Sequence, residues 1–166
     1  IDQLTGKGRL AGNGMVEVVD AAGEKKQYSA KNIILATGAR SKELPGLKQD
    51  GRKIIGYREA MSLEKQPESM VIVGSGAIGS EFACFYQTLG TSVTLVEFLP
   101  RIVPNEDEEV SKYLERSVKK MGMKIMTGSS VESAEIAGEK CLARIRTPKG
   151  EETVETDIIF SAVGVT

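Results

Sequence analysis

A glycine-rich turn between a strand-like and a helix-like segment constrains the fold of this chain most. The apolar run 70–73 predicts a buried strand, and Gly74, Gly76 and Gly79 follow it directly. Beyond the turn, apolar residues recur with the helical period and predict a helix that ends at Gly90. The predicted buried stripe of this helix consists of Ile78, Phe82, Phe85 and Leu89. The run 93–96 predicts a second strand, so the unit indicates a parallel sheet of the α/β class.

Each glycine of the turn has a physical reason in a site that binds a dinucleotide. Gly74 allows the tight turn, Gly76 lacks the side chain that would block a pyrophosphate, and Gly79 lets the helix pack close to the strands. The free N–H groups and the dipole at the start of the helix attract phosphates. The alternative is a turn that only packs. We predict a Rossmann-like domain that binds a dinucleotide through residues 74–79.

Glu97 follows the second strand and predicts which dinucleotide binds. Its carboxylate can accept hydrogen bonds from both ribose hydroxyls of an adenosine, whereas a 2′-phosphate would meet like charge. Arg101 lies a few residues later and could instead receive such a phosphate. We predict NAD as the cofactor in preference to NADP.

The remaining segments predict further helices and an antiparallel β-meander. One helix has Asn105 as its N-cap, with Glu108 three residues later, and ends at Gly122. Its predicted buried stripe consists of Val110, Leu114, Val118 and Met121. Strands are predicted at 124–126, 131–136, 141–146, 152–155 and 158–163, and a short helix at 57–65.

Two stretches of the chain resemble each other. Each is a β-meander that leads to a buried strand ending in glycine, at 33–38 and again at 159–164. The first copy has short strands around Leu10 and at 15–19. We therefore assign residues 1–43 to the tail of a first dinucleotide-binding domain, consisting of a meander and a strand, and 44–166 to a second such domain. Chance similarity is the alternative.

The composition excludes several kinds of chemistry. The chain has no histidine, which removes imidazole catalysis and histidine-ligated metals, and we predict no metal site. Its two cysteines, Cys84 and Cys141, are far apart in sequence; we interpret both as small core hydrophobes in a reducing, cytoplasmic protein. A net charge of −1 and short apolar runs predict neither a nucleic-acid partner nor a membrane span. Because the chain starts at Ile1 and stops after a strand-like run, we expect a piece of a longer protein.

Longer motifs resemble one family. The segment 74–83, GSGAIGSEFA, is followed by Val96-Glu97, by Ile102-Val103-Pro104 and by the pair Asp107 and Glu109. This series is similar to the pyridine-nucleotide domain of the dihydrolipoamide dehydrogenases, which belong to the flavoprotein disulfide reductases. The segment 34–41, ILATGARS, is similar to the strand that ends the first pass through the FAD domain of that family. The likeness covers essentially the whole chain.

The resemblance implies a role for each residue of the predicted site. The residues implied for NAD are Gly74, Ser75, Gly76, Ala77, Ile78, Gly79, Glu81, Glu97, Val131, Ala162, Val163 and Gly164. Residues 74–79 would hold the pyrophosphate, Glu97 the adenine ribose, and Val131 the adenine. The nicotinamide would lie near Ile78, Glu81 and residues 162–164. From residue chemistry alone, Ile78 could equally be core and Glu81 could complement the helix dipole.

Thr37 and Gly38 would touch FAD in the whole protein, although by residue chemistry they could also simply cap a strand. The resemblance implies that this protein oxidises dihydrolipoamide through a redox disulfide and FAD, passes hydride to NAD, and serves redox homeostasis. The FAD glycine fingerprint, the redox cysteine pair and the acid–base histidine are absent from this chain. We therefore expect no catalytic residue in it, no FAD binding by it and no activity from these residues alone.

Several relatives and partners remain open at this point. The NAD-linked alternatives are a mercuric reductase, a soluble transhydrogenase and an NADH oxidase, and the alternative of another class is a non-catalytic NAD-binding module. Glutathione reductase is disfavoured, because NADPH users of the family carry basic residues at the position of Glu97. The whole protein is expected to form a homodimer, with a place in a 2-oxo acid dehydrogenase complex left open.

Overall fold

The computed structural model describes residues 1–166 and divides into two compact units, Ile1–Gly38 and Ala39–Thr166. The first unit is a three-stranded antiparallel sheet in the order β1 (Lys7–Gly12), β2 (Met15–Val19) and β3 (Lys25–Ser29). Asn13 and Gly14, both with positive φ, form the two-residue turn between β1 and β2, as the twist of a hairpin requires. The strands predicted around Leu10 and at 15–19 are confirmed.

The buried strand predicted at 33–36 is wrong in this structure. These residues belong to no strand, and the side chain of Ile34 is 89% exposed. An apolar run becomes a strand only when neighbouring strands accept its backbone hydrogen bonds and cover its faces. The sheet of the first unit ends at β3 and offers this run no partner.

The second unit contains eight strands and three helices. In chain order they are β4 (Ile54–Ile55), α1 (Tyr57–Ala60), β5 (Ser69–Val73), α2 (Ala77–Thr88), β6 (Ser92–Val96), α3 (Glu108–Lys120), β7 (Lys124–Met126), β8 (Ser130–Ala137), β9 (Lys140–Thr147), β10 (Gly150–Thr156) and β11 (Ile158–Ser161). None of the helices combines the length and the apolar character that crossing a membrane would require.

A five-stranded parallel sheet in the order β4-β11-β5-β6-β7 forms the centre of this unit. The chain leaves β5 through α2 to reach β6 on one side, whereas β11 pairs with β5 on the other side. The strand order therefore reverses beside β5, and the carboxyl ends of β5, β6 and β11 meet at one edge. In open α/β sheets this switch point is where ligands bind.

The predicted meander is confirmed as the antiparallel sheet β8-β9-β10, with the helices lying on the opposite face of the parallel sheet. The alternation along β5 shows the three layers. Met70 and Ile72 pack with residues of α2 and α3, whereas Val71 and Val73 pack with the meander. Both faces of β5 are buried, which explains its continuous apolar sequence.

The buried face of α2 differs from the predicted stripe. Gly79, Ala83 and Tyr86 are buried, whereas Phe85 and Leu89 are more than half exposed, so the prediction for those two is wrong. Small residues let the helix approach the sheet closely, and they therefore set which face turns inward. Phe82 packs edge-on against Phe160 of β11, with ring centroids 5.0 Å apart.

The start and the buried face of α3 also differ from the prediction. The N-cap is Asp107, whose carboxylate accepts a hydrogen bond from Glu109 N at 2.8 Å, and not Asn105. Glu106 N donates to Val103 O, which closes a turn ahead of the helix and delays its start. In the predicted stripe, Val110 and Met121 are exposed; the buried α3 residues are Ser111 and Val118. Gly122 ends the helix with positive φ, as predicted.

The first helix, α1, is shorter than the predicted 57–65. Ser62 N donates to Glu59 O at 2.9 Å, and the Ser62 hydroxyl donates to Arg58 O at 3.2 Å. The carbonyl that would continue the helix is therefore taken by a side chain, and the helix ends at Ala60.

Candidate functional site

An open cleft of about 730 Å³ lies at the edge where the carboxyl ends of β5, β6 and β11 meet. Nine of the predicted site residues line it: Gly74, Gly76, Ala77, Ile78, Glu97, Val131, Ala162, Val163 and Gly164. The sequence separates these residues widely, and the parallel pairing of the three strands brings them together. No lysine or arginine lines this cleft.

Two glycines of the turn are required by packing. Gly74 has φ +95°, and a Cβ there would lie 2.8 Å from Ala162 O. A Cβ on Gly79 would lie 1.9 Å from Gly74 O, a backbone atom that cannot move without opening the turn. The sharp turn and the close helix–sheet packing predicted from these glycines are thus present.

Gly76 differs from both of its neighbours. A Cβ at this position would meet no protein atom within 4 Å, and the residue lines the cleft. Its φ of −62° suits any residue. Packing therefore gives no reason for a glycine here, whereas the close approach of a ligand does.

The amino end of α2 opens on the same cleft. Gly76 is its N-cap and provides no side-chain hydrogen bond, and its first turn has no acidic residue. The first N–H groups of a helix have no intrahelical partner, and they carry the positive end of the helix dipole. This end of α2 is suited to receive an anion.

Glu97 lies across the cleft at the end of β6 and is only 6% exposed. Its Oε2 accepts hydrogen bonds from Ser75 N at 2.8 Å and from Ser75 Oγ at 2.6 Å, and its Oε1 accepts one from Leu99 N at 2.8 Å. Its own backbone pairs with Met126 O and Ser129 N. A buried carboxylate needs such donors, and here two of the three come from the glycine turn itself.

Val103 joins the same network in a strained conformation. It has φ +39°, a region that β-branched residues rarely occupy. Val103 N donates to Ser75 O at 3.0 Å and to Ser75 Oγ at 3.2 Å, and Ser111 Oγ donates to Val103 O. A conformation of this kind costs about 1 to 3 kcal/mol and persists where its surroundings hold it in place. The 101–104 loop is thereby fixed against the turn.

Arg101 is engaged away from the cleft. Its guanidinium Nη2 donates to Pro104 O at 3.0 Å and to Glu106 O at 3.2 Å, and the residue does not line the cleft. The alternative role for Arg101, receiving a phosphate beside Glu97, therefore has no support in this arrangement.

Some predicted site residues lie outside the cleft. Ser75 and Gly79 are buried behind the turn and shape it, and Glu81 is exposed on α2 without lining the cleft. Thr37 and Gly38 belong to the first unit, where both are exposed and lie in no helix or strand.

Sequence reasoning missed several residues that line the cleft. Those outside the two strand ends are Leu44, Pro45, Phe98, Leu99, Asn105, Ser129 and Ser130. Phe98 carried a signal, because it directly follows the predicted strand-end acid Glu97; in the structure its side chain is 75% exposed. Leu44 and Pro45 carried none, because their segment has no periodic pattern, and only the folded chain brings it to the cleft.

The two cysteines are interpreted as core residues, and their surroundings agree. Burial raises the pKa of the Cys84 thiol, and burial is also the main cause that raises the pKa of the Cys141 thiol. A reactive cysteine needs the opposite, a lowered pKa.

The fold and the cleft together define an α/β domain of the Rossmann type, with a glycine turn at the switch point and an acid at the end of the next strand. The chain belongs to the pyridine nucleotide-disulphide oxidoreductase family, whose model matches residues 1–166. The predicted α/β class and the resemblance to dihydrolipoamide dehydrogenases are thereby confirmed.

Curated relatives and solved structures agree with this family. The dihydrolipoyl dehydrogenase of Zymomonas mobilis is 40% identical over 155 residues, which are 93% of this chain and 33% of that protein. The dihydrolipoyl dehydrogenase of Chlorobaculum tepidum is 39% identical over 167 aligned residues, 100% of this chain and 36% of that protein. The crystal structure of LpdA from Mycobacterium tuberculosis matches with a TM-score of 0.81 at 27% identity, over 98% of this chain and 36% of its own. The chain spans about a third of the length of these relatives.

Proposed function

We propose that the cleft binds NAD(H) and that this chain is the NAD-binding portion of a dihydrolipoamide dehydrogenase. One observation carries the proposal. Gly76, which packing does not require to be a glycine, opens the amino end of α2 toward the same cleft that Glu97 enters from the opposite side. A dinucleotide has an anionic centre and ribose hydroxyls at the matching positions.

The pyrophosphate would lie on the turn 74–79. Its negative charge needs a positive field, and the uncapped start of α2 supplies one through backbone N–H groups and the dipole. A side chain at position 76 would project into this space, because no protein atom lies within 4 Å of its Cβ direction.

The adenine ribose would lie against Glu97, and this contact would select NAD(H) over NADP(H). A 2′-phosphate would have to approach a buried carboxylate in a cleft that no lysine or arginine lines. Like charges brought together in such a place cost several kcal/mol. The adenine would contact Val131, and the nicotinamide would lie near Ile78, Glu81 and residues 162–164.

The domain assignment rests on the similarity to the dihydrolipoyl dehydrogenases. We assign residues 1–43 to the tail of an FAD-binding domain, in which Thr37 and Gly38 contact FAD, and residues 44–166 to the NAD domain. The second compact unit begins earlier, at Ala39, because Arg40 and Lys42 pair with Thr166 and Gly164 through their backbones.

The whole protein would oxidise dihydrolipoamide, since curated relatives at about 40% identity are dihydrolipoyl dehydrogenases. The chain has no histidine and two widely separated cysteines, so we propose that these 166 residues alone are inactive and purify without flavin. A homodimeric parent, its place in a 2-oxo acid dehydrogenase complex and a cytoplasmic location stay predictions.

Calorimetric titration of the 166-residue protein with NADH and with NADPH tests the proposal. We expect NADH to bind and NADPH to bind about 100-fold more weakly, because a like-charge contact costs several kcal/mol. Glu97→Gln should reduce the difference between the two ligands. Equal or tighter binding of NADPH, or no binding of either, would contradict the proposal.

A further inference from the structure

Ser75 occupies an unusual place in the glycine turn. It is fully buried and does not line the cleft, yet it lies between two glycines that do. Its N–H and its hydroxyl both bond to one oxygen, Oε2 of Glu97, at 2.8 and 2.6 Å. Its carbonyl oxygen accepts hydrogen bonds from Ser80 Oγ at 2.9 Å and from Val103 N at 3.0 Å.

The direction of the hydroxyl bond follows from its neighbours. Val103 N lies 3.2 Å from Ser75 Oγ and can only donate. An ionised carboxylate can only accept, so the single hydroxyl proton of Ser75 goes to Glu97. A hydrogen bond to an ionised acceptor is stronger than a neutral one, and the fixed 101–104 loop prevents the hydroxyl from turning elsewhere.

These bonds leave the carboxylate little capacity for a ligand. A carboxylate has about four acceptor positions, two on each oxygen. Ser75 fills both positions on Oε2, and Leu99 N fills one on Oε1. One position on Oε1 is left.

We propose that Ser75 is a positioning residue: it fixes the Glu97 carboxylate so that a single acceptor position faces the cleft and takes a single ribose hydroxyl. The inference rests on the proposed function, because it concerns the adenine ribose of bound NAD(H). From Glu97 alone we expect its carboxylate to accept hydrogen bonds from both ribose hydroxyls; the bonds of Ser75 and Leu99 reduce this number to one.

Two analogues of NAD⁺ test how many ribose hydroxyls Glu97 binds. One lacks the 2′-hydroxyl and the other the 3′-hydroxyl of the adenosine ribose, and both are measured on the unaltered protein and on Glu97→Gln. In this variant the amide oxygen faces the two donors of Ser75, and the NH₂ group takes the place of Oε1. There it meets Leu99 N, which loses its acceptor, and it offers no acceptor to a ribose hydroxyl. For each analogue the loss of affinity relative to NAD⁺ is measured in both proteins, and the ratio of the two losses isolates the contact with Glu97.

For one analogue we expect a Glu97-dependent loss of affinity of about tenfold or more, which is the usual size for a hydrogen bond to a charged group. For the other analogue the Glu97-dependent change in affinity should stay within about twofold. Comparable Glu97-dependent losses for both analogues would overturn the inference. No binding of NAD⁺ or NADH to the unaltered protein would instead reject the proposed function, and the inference with it.

Ser75→Ala tests the positioning role, with Ser80→Ala as its matched control. Both changes remove one buried hydroxyl from the same network, but only the first touches Glu97. Without the Ser75 hydroxyl the carboxylate loses one of the donors that fix it, so it can turn and present a second acceptor position to the cleft. The two analogue losses should then come within about threefold of each other. Ser80→Ala should keep them about as different as in the unaltered protein.

Two outcomes would overturn the positioning role. One is a Ser75→Ala protein that keeps the unaltered difference between the analogues. The other is a uniform loss of affinity for NAD⁺ and both analogues, which would show that the hydroxyl only stabilises the turn. If Ser75→Ala does not fold, the comparison of the two analogues on the unaltered protein and on Glu97→Gln still decides the inference.

Discussion

The two long helices of the second unit begin in opposite ways. They have similar lengths, 12 residues in α2 and 13 in α3, and each starts with backbone N–H groups that need partners. α3 supplies its own: Asp107 caps it, and Glu108 and Glu109 lie in its first turn. α2 has a glycine cap and no acid there. The start of α3 is neutralised by its own side chains, whereas the start of α2 has no side-chain cap and no acid in its first turn.

The two helix starts also differ in what they face. The start of α2 opens on the large cleft, opposite Glu97, and the glycines there keep the backbone accessible. The start of α3 lies on the surface, where water and its own carboxylates satisfy it. A capping side chain stabilises a helix. A helix start that lacks one and faces a cavity therefore indicates a binding site.

Gly76→Asp would give α2 the start that α3 has, and it should have the largest effect on binding. The new carboxylate can cap the helix without a clash, because no protein atom lies within 4 Å of the Cβ position. Folding stability should stay within about 0.5 kcal/mol of the original, since glycine is itself a fair N-cap. NADH affinity should fall about 100-fold, because a carboxylate would face the pyrophosphate.

Gly76→Asn is the matched control for that change. It caps equally well and has a similar volume but no charge. Thermal melting and calorimetry should show an intermediate loss of affinity for the asparagine variant. Unchanged NADH affinity in the aspartate variant would show that the start of α2 does not hold the pyrophosphate.

Gly79→Ala should have the largest effect on folding. Alanine favours a helix interior by about 1 kcal/mol over glycine. Here its Cβ would lie 1.9 Å from Gly74 O, a backbone atom, so the overlap outweighs the gain. We expect a net loss of about 3 kcal/mol in the free energy of unfolding, measured by urea denaturation.

Gly76→Ala serves as the control, with a cost of about 0.5 kcal/mol for a poorer cap. Equal stability of the two alanine variants would contradict the close approach of α2 to the sheet.

Asp107→Ala tests the other side of the comparison. Removing the cap of α3 should lower the free energy of unfolding by about 1 kcal/mol and leave NADH affinity unchanged. Urea denaturation and calorimetry measure the two quantities. Asp107→Asn should keep most of the stability, because asparagine caps as well. A loss of NADH affinity in Asp107→Ala would show that the two helix starts are not independent.

The smallest expected effect is a pH dependence confined to α3. The hydrogen bond and charge of Lys112 lower the pKa of Glu108 from its ordinary value of 4.5. A lowered pKa in the folded state means that this stabilisation is complete above pH 4.5 and is lost as the pH falls through the folded value. Melting temperatures below pH 4.5 should therefore fall slightly less steeply in Glu108→Gln. An identical pH dependence of the melting temperature in the two proteins would show that the ionisation of Glu108 does not contribute to stability.

The sequence predicted the parts of this fold that local patterns determine. The glycine turn, the strands on either side of α2 and the meander were found because their apolar periods and turn residues are local signals. The inward face of α2 could not be predicted from the sequence, because Phe85 and Leu89 are as apolar as Phe82. What turned the helix was the close packing that Gly79 and Ala83 permit, a tertiary effect.

The site was predictable to the same extent. Gly76 and Glu97 could be proposed from spacing, because a fixed βαβ geometry places them on one edge of the sheet. The bond between Ser75 and Glu97 could not, because it depends on where the 101–104 loop returns to the turn. Leu44 and Pro45 reach the cleft only through the folding of a segment without periodic structure.

Backbone amide NMR shifts of the 166-residue protein during titration with NADH would show whether the dinucleotide binds at the start of α2 and not at the start of α3. We expect saturable shifts at residues 76–79, at Glu97 and at Val131, while the amide shifts of Glu108 and Glu109 at the start of α3 do not change. Saturable shifts at the start of α3, or none at 76–79, would contradict the proposed binding site.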